Sequence, residues 1–265
     1  MRDEFTANWF GDGQDPAAYD PVRSARGAMK PVLPKRFYTE VSIGQRAEGW
    51  AILLDGKPAK TKGQKLLALP NPAAAGLVAD EWDAQGEFIT PGTMPATRIA
   101  HTALDHVAAA RDAVIEDILK YAGSDLVCYR AADPAELVAL QVQHWEPVLA
   151  HIREVYGANF KLSEGIRFVE QPEASIAALR PRLERIAEPA ALAALHVLTT
   201  ISGSALVALA VADHRLLAEA GFDAGEVDAD YEVSVWGTDE EATARRANRL
   251  ADFVAATALH HAIEG

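Results

Sequence analysis

The side chains that could do chemistry cluster most densely in residues 236–241, at the start of the last predicted helix. Asp239, Glu240 and Glu241 are consecutive there. Thr238 and Glu241 have the spacing of a capping box, in which both side chains bind free amides at a helix start. Adjacent acids can also act as general acid and base, although a solvated helix face explains them better. A well-capped terminal helix that packs on the core is the commoner explanation of this stretch, but the capping box does not use Glu240, which could contact a partner.

Other reactive side chains follow no catalytic pattern. The sequence has no Gly-x-Ser-x-Gly elbow, no HExxH or CxxC pair, no GxGxxG motif and no phosphate-binding loop. Ser202 and Ser204 lie in an apolar run, which favours close helix packing over a nucleophile. Cys128 has no nearby histidine or lysine to activate it, which predicts a buried, inert thiol. His260 and His261 are adjacent, so on a helix they point in different directions and do not form a metal pair. The residues therefore predict no catalytic site, no cofactor and no metal.

Charged residues at predicted helix joints are harder to assign. Arg98 follows the loop that contains Met94, and Asp125 and Arg130 flank Tyr129. Charges at such joints often tie segments together through charge-assisted hydrogen bonds. An internal latch is one interpretation of these residues, and contact with a partner is the other.

Composition and charge limit the function classes. The 265-residue chain is 49% hydrophobic and 24% charged, which is ordinary for a globular protein. Its formal net charge of −13 argues against binding to nucleic acid or anionic membranes. One cysteine excludes an internal disulfide and a cysteine-rich zinc site. Residues 189–212 carry no charge and are long enough to span a bilayer, but their alanine, serine and threonine content predicts a buried helix pair bent at Gly203 instead.

A local basic patch interrupts this acidic background. Lys57, Lys60, Lys62 and Lys65 lie close together in a predicted hairpin. They could meet an acidic partner surface. Lysines that protect a solvated strand edge from pairing with another chain are the commoner explanation.

The N-terminal third of the chain predicts a small sheet. Residues 1–34 are polar and rich in Gly, Pro and Asp, which predicts a poorly ordered arm or a strap that lies over the surface. Residues 35–69 alternate as strands do, with turn signals at Asp55-Gly56 and Lys62-Gly63, which predicts a three-stranded antiparallel meander. Phe37 is expected on its buried face. Asn71-Pro72 then predicts a capped helix start.

The rest of the chain predicts helices. After Pro95 the apolar spacing is helical, and it is interrupted at Gly123, Gly157 and Gly203. Later helices are expected over 173–187, 189–201, 204–213 and 223–236, followed by a terminal one. We therefore predict an α+β protein with an arm at 1–34, a small β-rich N-terminal domain at 35–92 and a larger, mostly α-helical C-terminal domain at 93–265.

Eight short motifs in a fixed order resemble one known family. They are Lys35-Arg36-Phe37-Tyr38, Leu54-Asp55-Gly56-Lys57-Pro58 with Lys60-Thr61, Glu81-Trp82-x-Ala84-Gln85, Met94-Pro95-x-Thr97-Arg98, Ser124-Asp125-Leu126-x-Cys128-Tyr129-Arg130, Gln171-Pro172, Gly203-Ser204 and Trp236-Gly237-x-Asp239-x-Glu241. Over nearly the whole chain they are similar to the assembly-chaperone family that escorts the alpha subunit of the F-type ATP synthase catalytic head, known from mitochondria and alphaproteobacteria.

The resemblance implies that the protein is not an enzyme. A member of this family binds the free alpha subunit, shields its interface and releases it when the alpha–beta hexamer forms. The family associates the acidic residues of the Trp-Gly-x-Asp-x-Glu region with this role, which here are Asp239, Glu240 and Glu241. We also expect Trp236 and Gly237 of the same motif to contact the partner. We add the residues at the joints as further expected partner contacts: Met94, Arg98, Asp125, Tyr129 and Arg130.

Further expectations concern the cellular location and oligomeric state of the protein, the arrangement of its site residues and the alternatives to the chaperone function. The chain shows no signal peptide or mitochondrial presequence, which fits a bacterial, cytoplasmic protein. We also expect a monomer that has no small-molecule substrate. We expect the Met94 loop, the Tyr129 joint and the Glu240 helix start to converge on one face. Two alternatives stay open: a hydrolase-like enzyme with an unrecognised site, and a general peptide-binding holdase.

Overall fold

The computed structural model describes residues 33–165 and 167–265, so the predicted arm at 1–34 lies almost entirely outside the described residues. The described chain divides into two compact units. The larger comprises Tyr38–Ala84 and Pro91–Gly265. The smaller includes residues 33–37 and Gln85–Thr90, which are joined by backbone hydrogen bonds such as the 2.9 Å bond from Arg36 N to Glu87 O. The predicted boundary between residues 92 and 93 stays a prediction.

An antiparallel sheet opens the larger unit. Its strands are β1 (Val41–Arg46), β2 (Gly49–Leu54), β3 (Lys57–Pro58) and β4 (Ala68–Leu69). β2 lies at the centre and pairs with each of the other three. The Asp55-Gly56 turn is confirmed, with the positive φ values that a tight hairpin turn requires.

The sheet differs from the predicted meander in two respects. A turn at residues 47–48 separates β1 from β2, so four strands form instead of three. Phe37 is 71% exposed, whereas Tyr38 is buried. Tyr38 is turned inward because its hydroxyl donates to Trp82 O over 2.7 Å and its ring packs against that indole. The alternating pattern alone could not show which of the two aromatic residues has such a partner.

Nine α-helices follow in the described chain. The first, α1 (Pro72–Asp83), is capped as predicted, since Ala74 N donates to Asn71 Oδ1 over 2.9 Å. The others are α2 (Pro95–Asp105), α3 (Arg111–Gly123), α4 (Ala135–Tyr156), α5 (Glu173–Glu184), α6 (Pro189–Ser202), α7 (Ala205–Ala212), α8 (Ala218–Trp236) and α9 (Glu240–Glu264). A short parallel pair, β5 (Tyr129–Arg130) and β6 (Ser163–Glu164), lies outside the main sheet. The predicted α+β class is confirmed.

The core is built around α6 and α7. Every residue of α7 is buried, and Gly203 joins the two helices in the left-handed conformation at φ +68°. This confirms the predicted buried pair bent at Gly203. α2, α3, α4, α8 and α9 pack around it. None of the described helices is long and apolar enough to cross a membrane.

α8 begins five residues earlier than predicted. Its first turns contain Gly221 and Gly225, which weaken a helical signal in the sequence. Both glycines are needed for packing: a Cβ on Gly225 would lie 2.7 Å from Ser202 Cα, and a Cβ on Gly221 would clash with Val211 Cγ2. Close approach to α6 and α7 therefore overrides intrinsic helix propensity here.

Candidate functional site

The end of α8 and the start of α9 form the most exposed part of the described chain. The first half of α8 is anchored by buried residues, including Phe222 and Val227. Every residue from 232 to 241 is exposed. Val233, Val235 and Trp236 are 41%, 51% and 85% exposed, although large apolar side chains are usually buried. We call residues 232–241 the tip.

The turn within the tip is set by a glycine and an aspartate. Gly237 adopts φ +80°, which an L side chain rarely does, and ends α8. Asp239 is the N-cap of α9, and its Oδ1 accepts the 2.6 Å hydrogen bond from Ala242 N. The predicted capping box of Thr238 and Glu241 is therefore wrong. Aspartate is at least as good a cap as threonine, and the one-residue shift leaves Glu241 in the first turn.

The three acids of the tip are used differently. Asp239 caps the helix, and Glu241 forms a 2.5 Å ion pair with Arg245, as expected from their i,i+4 spacing. Glu240 makes no hydrogen bond or ion pair within the described chain and is exposed. Glu240 and Glu241 therefore differ not through a capping box but because Glu241 is paired with Arg245 and Glu240 is not.

Two arginines hold α8 and α9 together behind the tip. Arg246 binds both carboxylate oxygens of Asp230, at 2.8 and 2.6 Å, and also Asp223 at 3.1 Å. Its guanidinium lies 5.0 Å from the centroid of the Phe222 ring. Arg249 adds a 2.9 Å hydrogen bond to Glu226. Bidentate pairs of this kind fix the orientation of the two side chains. They therefore hold α8 and α9 in a fixed arrangement at the base of the tip.

The residues at the predicted joints have internal partners. Met94 is only 2% exposed. Arg98, on the first turn of α2, forms an ion pair with Asp252 of α9. The start of α2 is also held by Glu81, whose two oxygens accept hydrogen bonds from Ala96 N and Thr97 N, each at 2.7 Å. These contacts favour the internal-latch interpretation for this joint.

Asp125 lies at a second joint and is fully buried. Its Oδ1 accepts from Ser204 Oγ at 2.5 Å, and its Oδ2 accepts from Leu206 N at 3.1 Å. The carboxylate thus binds the start of α7, where the free amides and the helix dipole favour a negative charge. Burial nevertheless raises the pKa of Asp125 to about 6. Burial also raises the pKa of the neighbouring Cys128 thiol to about 12, as expected for an inert cysteine.

Arg130 and Tyr129 complete this second joint. The Arg130 guanidinium donates to Val127 O and to Glu146 Oε1, both at 3.1 Å, and lies 5.1 Å from the centroid of the Trp145 ring. Burial lowers its pKa. Tyr129 is half-buried and pairs with Ser163 in the parallel ladder. Both residues therefore support the β5–β6 pair.

The structure separates the predicted site residues into three groups. Only the tip group, with Trp236 and Glu240, is fully exposed. Asp252, the partner of Arg98, is twelve residues along α9 from Glu240, which corresponds to about 18 Å of helix. Because Met94 and Asp125 are buried, the three groups do not form one exposed face. A partner-binding role for the individual residues stays a prediction.

One groove in the described chain bears on the enzyme alternative. A groove of about 780 Å³ lies beside β6, lined by Arg130, Leu162, Ser163, Glu164, Arg167, Phe168 and Val169. The Asp125 carboxyl and the Cys128 thiol do not line it, which favours a structural role for both. Within the described ranges, no three His, Cys, Asp or Glu residues are placed to hold a metal ion.

Comparisons with known proteins identify the family. A model of the ATP12 chaperone protein family matches residues 35–153. The crystal structure of the Atu1473 protein of Agrobacterium tumefaciens, a candidate chaperone, is 44% identical, with a TM-score of 0.84 over 94% of this chain and 93% of that one. Atp12 from Paracoccus denitrificans is 35% identical, with a TM-score of 0.80 over 87% of this chain and 99% of that one. A lysine-for-aspartate mutant of the Paracoccus protein matches with a TM-score of 0.79. These matches confirm the family resemblance that the sequence motifs indicate. The chain therefore belongs to the ATP12 chaperone family.

Proposed function

We propose that this protein is an ATP synthase assembly chaperone that binds the free alpha subunit of the F-type catalytic head through its tip. One observation carries the proposal: Trp236 is 85% exposed and lies four residues before Glu240, a carboxylate with no partner in the described chain. Exposed apolar side chains next to polar groups are typical of protein interaction sites. Tryptophan is also among the residues that most often dominate binding energy.

The two side chains would make different contributions. Trp236 would fill an apolar pocket on the client, which the beta subunit later buries. Glu240 would pair with a cationic residue at the rim of that pocket and so fix the orientation. The Arg246–Asp230 pair keeps the two helices in place. Less side-chain and backbone freedom is then lost on binding.

Release follows from competition in this proposal. The chaperone binds alpha-subunit surface that is prone to aggregation until the hexamer forms. It must bind weakly enough to be displaced by the larger alpha–beta interface. No catalysis, cofactor or small-molecule substrate is involved, and we propose that the chaperone acts as a monomer in the cytoplasm.

The test is a mixing experiment followed by size-exclusion chromatography. The full chain is combined with alpha subunit from the same organism, with beta subunit, or with an unrelated unfolded protein. We expect a complex with the alpha subunit alone. Trp236→Ala should weaken it about 30-fold or more, as expected for a hot-spot residue. Glu240→Lys should weaken it about tenfold, because an exposed ion pair is replaced by repulsion.

Matched variants separate the tip from general surface effects. Leu217→Ala removes another highly exposed apolar side chain, and Glu219→Lys reverses another exposed acid; both lie at the opposite end of α8. Neither should change binding. Equal binding to every unfolded protein would establish the general holdase instead. The absence of any complex with the alpha subunit would refute the proposed function and reopen the enzyme alternative.

A further inference from the structure

The lysines of β3 and of the segment that follows it are not explained by the tip. Lys57, Lys60 and Lys62 are exposed and form no ion pair within the described chain. They are a local excess of positive charge on a protein of net charge −13. They belong to the same short stretch as Thr61, which is only 3% exposed.

The backbone that carries these lysines is firmly held. Thr61 Oγ1 donates to Asp105 Oδ1 at 2.6 Å, and Gly63 N donates to Asp105 Oδ2 at 3.0 Å, so both oxygens of one carboxylate at the end of α2 are used. Lys65 takes part in the same attachment, since its Nζ donates to Leu104 O at 2.6 Å, and we therefore do not count it among the free lysines. A Cβ on Gly63 would lie 2.6 Å from Asp105 Oδ1, so the turn requires glycine.

This attachment determines where the free lysines lie. The Thr61 side chain is directed to Asp105, and its two neighbours in sequence, Lys60 and Lys62, are exposed. The ammonium groups are therefore carried by a fixed backbone, although each side chain is flexible. A fixed backbone reduces the entropy lost when a partner binds.

Protection of a strand edge accounts for only part of the pattern. Lysines are commonly placed on edge strands to prevent pairing with other chains. Lys57 lies in β3, but Lys60 is in an isolated bridge with Leu66 and Lys62 is in a turn. Two of the three lysines therefore lie outside any strand that needs protection. None of the three takes part in an ion pair within the described chain, so the stability of the fold does not explain their charges.

We propose that Lys57, Lys60 and Lys62 form a second contact surface, which binds an acidic segment of the client subunit. We call it the lysine surface, and its assignment to the client rests on the proposed function. Charge complementarity selects the occupant: carboxylates are attracted to this patch and repelled by the acidic remainder of the molecule. A nucleic acid would extend beyond three lysines into that acidic remainder. Lysine also favours diffuse ionic contact, since it lacks the planar fork of arginine.

The test measures association rates between the full chain and the alpha subunit at low and high salt. In the triple variant Lys57→Gln, Lys60→Gln, Lys62→Gln, the association rate should fall about tenfold at about 20 mM salt and differ little at about 0.5 M. The dissociation rate should change less. The three side chains are exposed, so folding should be retained, and the corresponding arginine triple variant should restore the rate.

A charge-matched control isolates position from net charge. Arg153, Lys161 and Arg215 are exposed, and changing all three to glutamine removes the same three charges. This control should associate like the unmodified protein. If the two glutamine triples behave alike, the proposal is refuted, whether both are slow or both are unaffected. The proposal is also overturned if the lysine triple loses binding to a single-stranded RNA probe while its association with the alpha subunit stays normal. A lack of alpha binding by the unmodified protein would instead count against the proposed function.

Discussion

Replacement of Asp125 by alanine tests the buried joint between the Leu126–Cys128 turn and α7. The side chain is fully buried and accepts hydrogen bonds from Ser204 Oγ and Leu206 N. Each buried donor left unpaired costs about 1–3 kcal/mol. The raised pKa means that burial of the charge is unfavourable, so its removal offsets part of this loss. Two unpaired donors cost about 2–6 kcal/mol before that offset, and we therefore expect Asp125→Ala to lower the free energy of unfolding by roughly 1–3 kcal/mol near neutral pH.

The pH dependence of this loss has a definite sign. The pKa of Asp125 is about 6 in the folded state and 3.8 in the reference state. Between these values the folded protein binds more protons than the unfolded chain, so stability from this group is greatest at low pH and falls as the pH rises. From pH 7.5 to about 5.5 the unmodified protein should gain about 0.8 kcal/mol that the alanine variant lacks. The destabilisation should therefore be larger at the lower pH.

Urea unfolding of both proteins at the two pH values gives the required free energies. Asp112→Ala is the control, because the Asp112 side chain is 96% exposed and its replacement should leave the pH dependence unchanged. Other titrating groups cancel in the difference between variant and unmodified protein if they do not interact with residue 125. A destabilisation that is equal at both pH values would refute the raised pKa. A larger loss at the higher pH would mean that the hydrogen bonds outweigh burial.

Two further predictions concern packing and reactivity. Gly225→Ala should lower the free energy of unfolding by about 1–3 kcal/mol, since the new Cβ would lie 2.7 Å from Ser202 Cα. Gly76→Ala, in a helix with nothing within 4 Å, should raise it by about 0.5–1 kcal/mol. Urea unfolding measures both, and a loss of stability in both variants would contradict the packing argument. Cys128, the only cysteine, should react with a thiol reagent only in the unfolded chain, because its pKa is about 12 and it is buried; rapid labelling of the native protein would disprove this.

Features encoded within a few residues could be predicted from the sequence. Asn71-Pro72 begins a helix, Gly157 ends one, and Gly203 joins α6 to α7, because each residue acts through its own backbone or a neighbouring amide. The predicted cap of α9 was wrong by one residue, because the structure uses Asp239 and not Thr238. Thr238 and Asp239 are both good caps, and local rules do not choose between them.

Features that depend on contacts between distant residues could not be predicted. The Asp125–Ser204 hydrogen bond joins residues 79 positions apart. Arg246 and Asp230 are 16 positions apart on different helices. The spacing of Asp223 and Asp230, seven residues apart on α8, was a possible signal for two acids on one helix face. Exposure of the tip had no sequence signal, since Val233 and Val235 resemble the buried residues of other helices.

The size of the tip bears on how a client could be both held and released. The tip contains ten residues, whereas a stable interface usually engages about 20–30 residues on each side. The tip alone would therefore bind weakly unless Trp236 enters a well-fitting pocket, where one residue can supply much of the affinity. A second, ionic contact through the lysine surface would increase the association rate more than the strength of binding. Rapid capture together with a small apolar contact is the combination that a larger competing interface can displace.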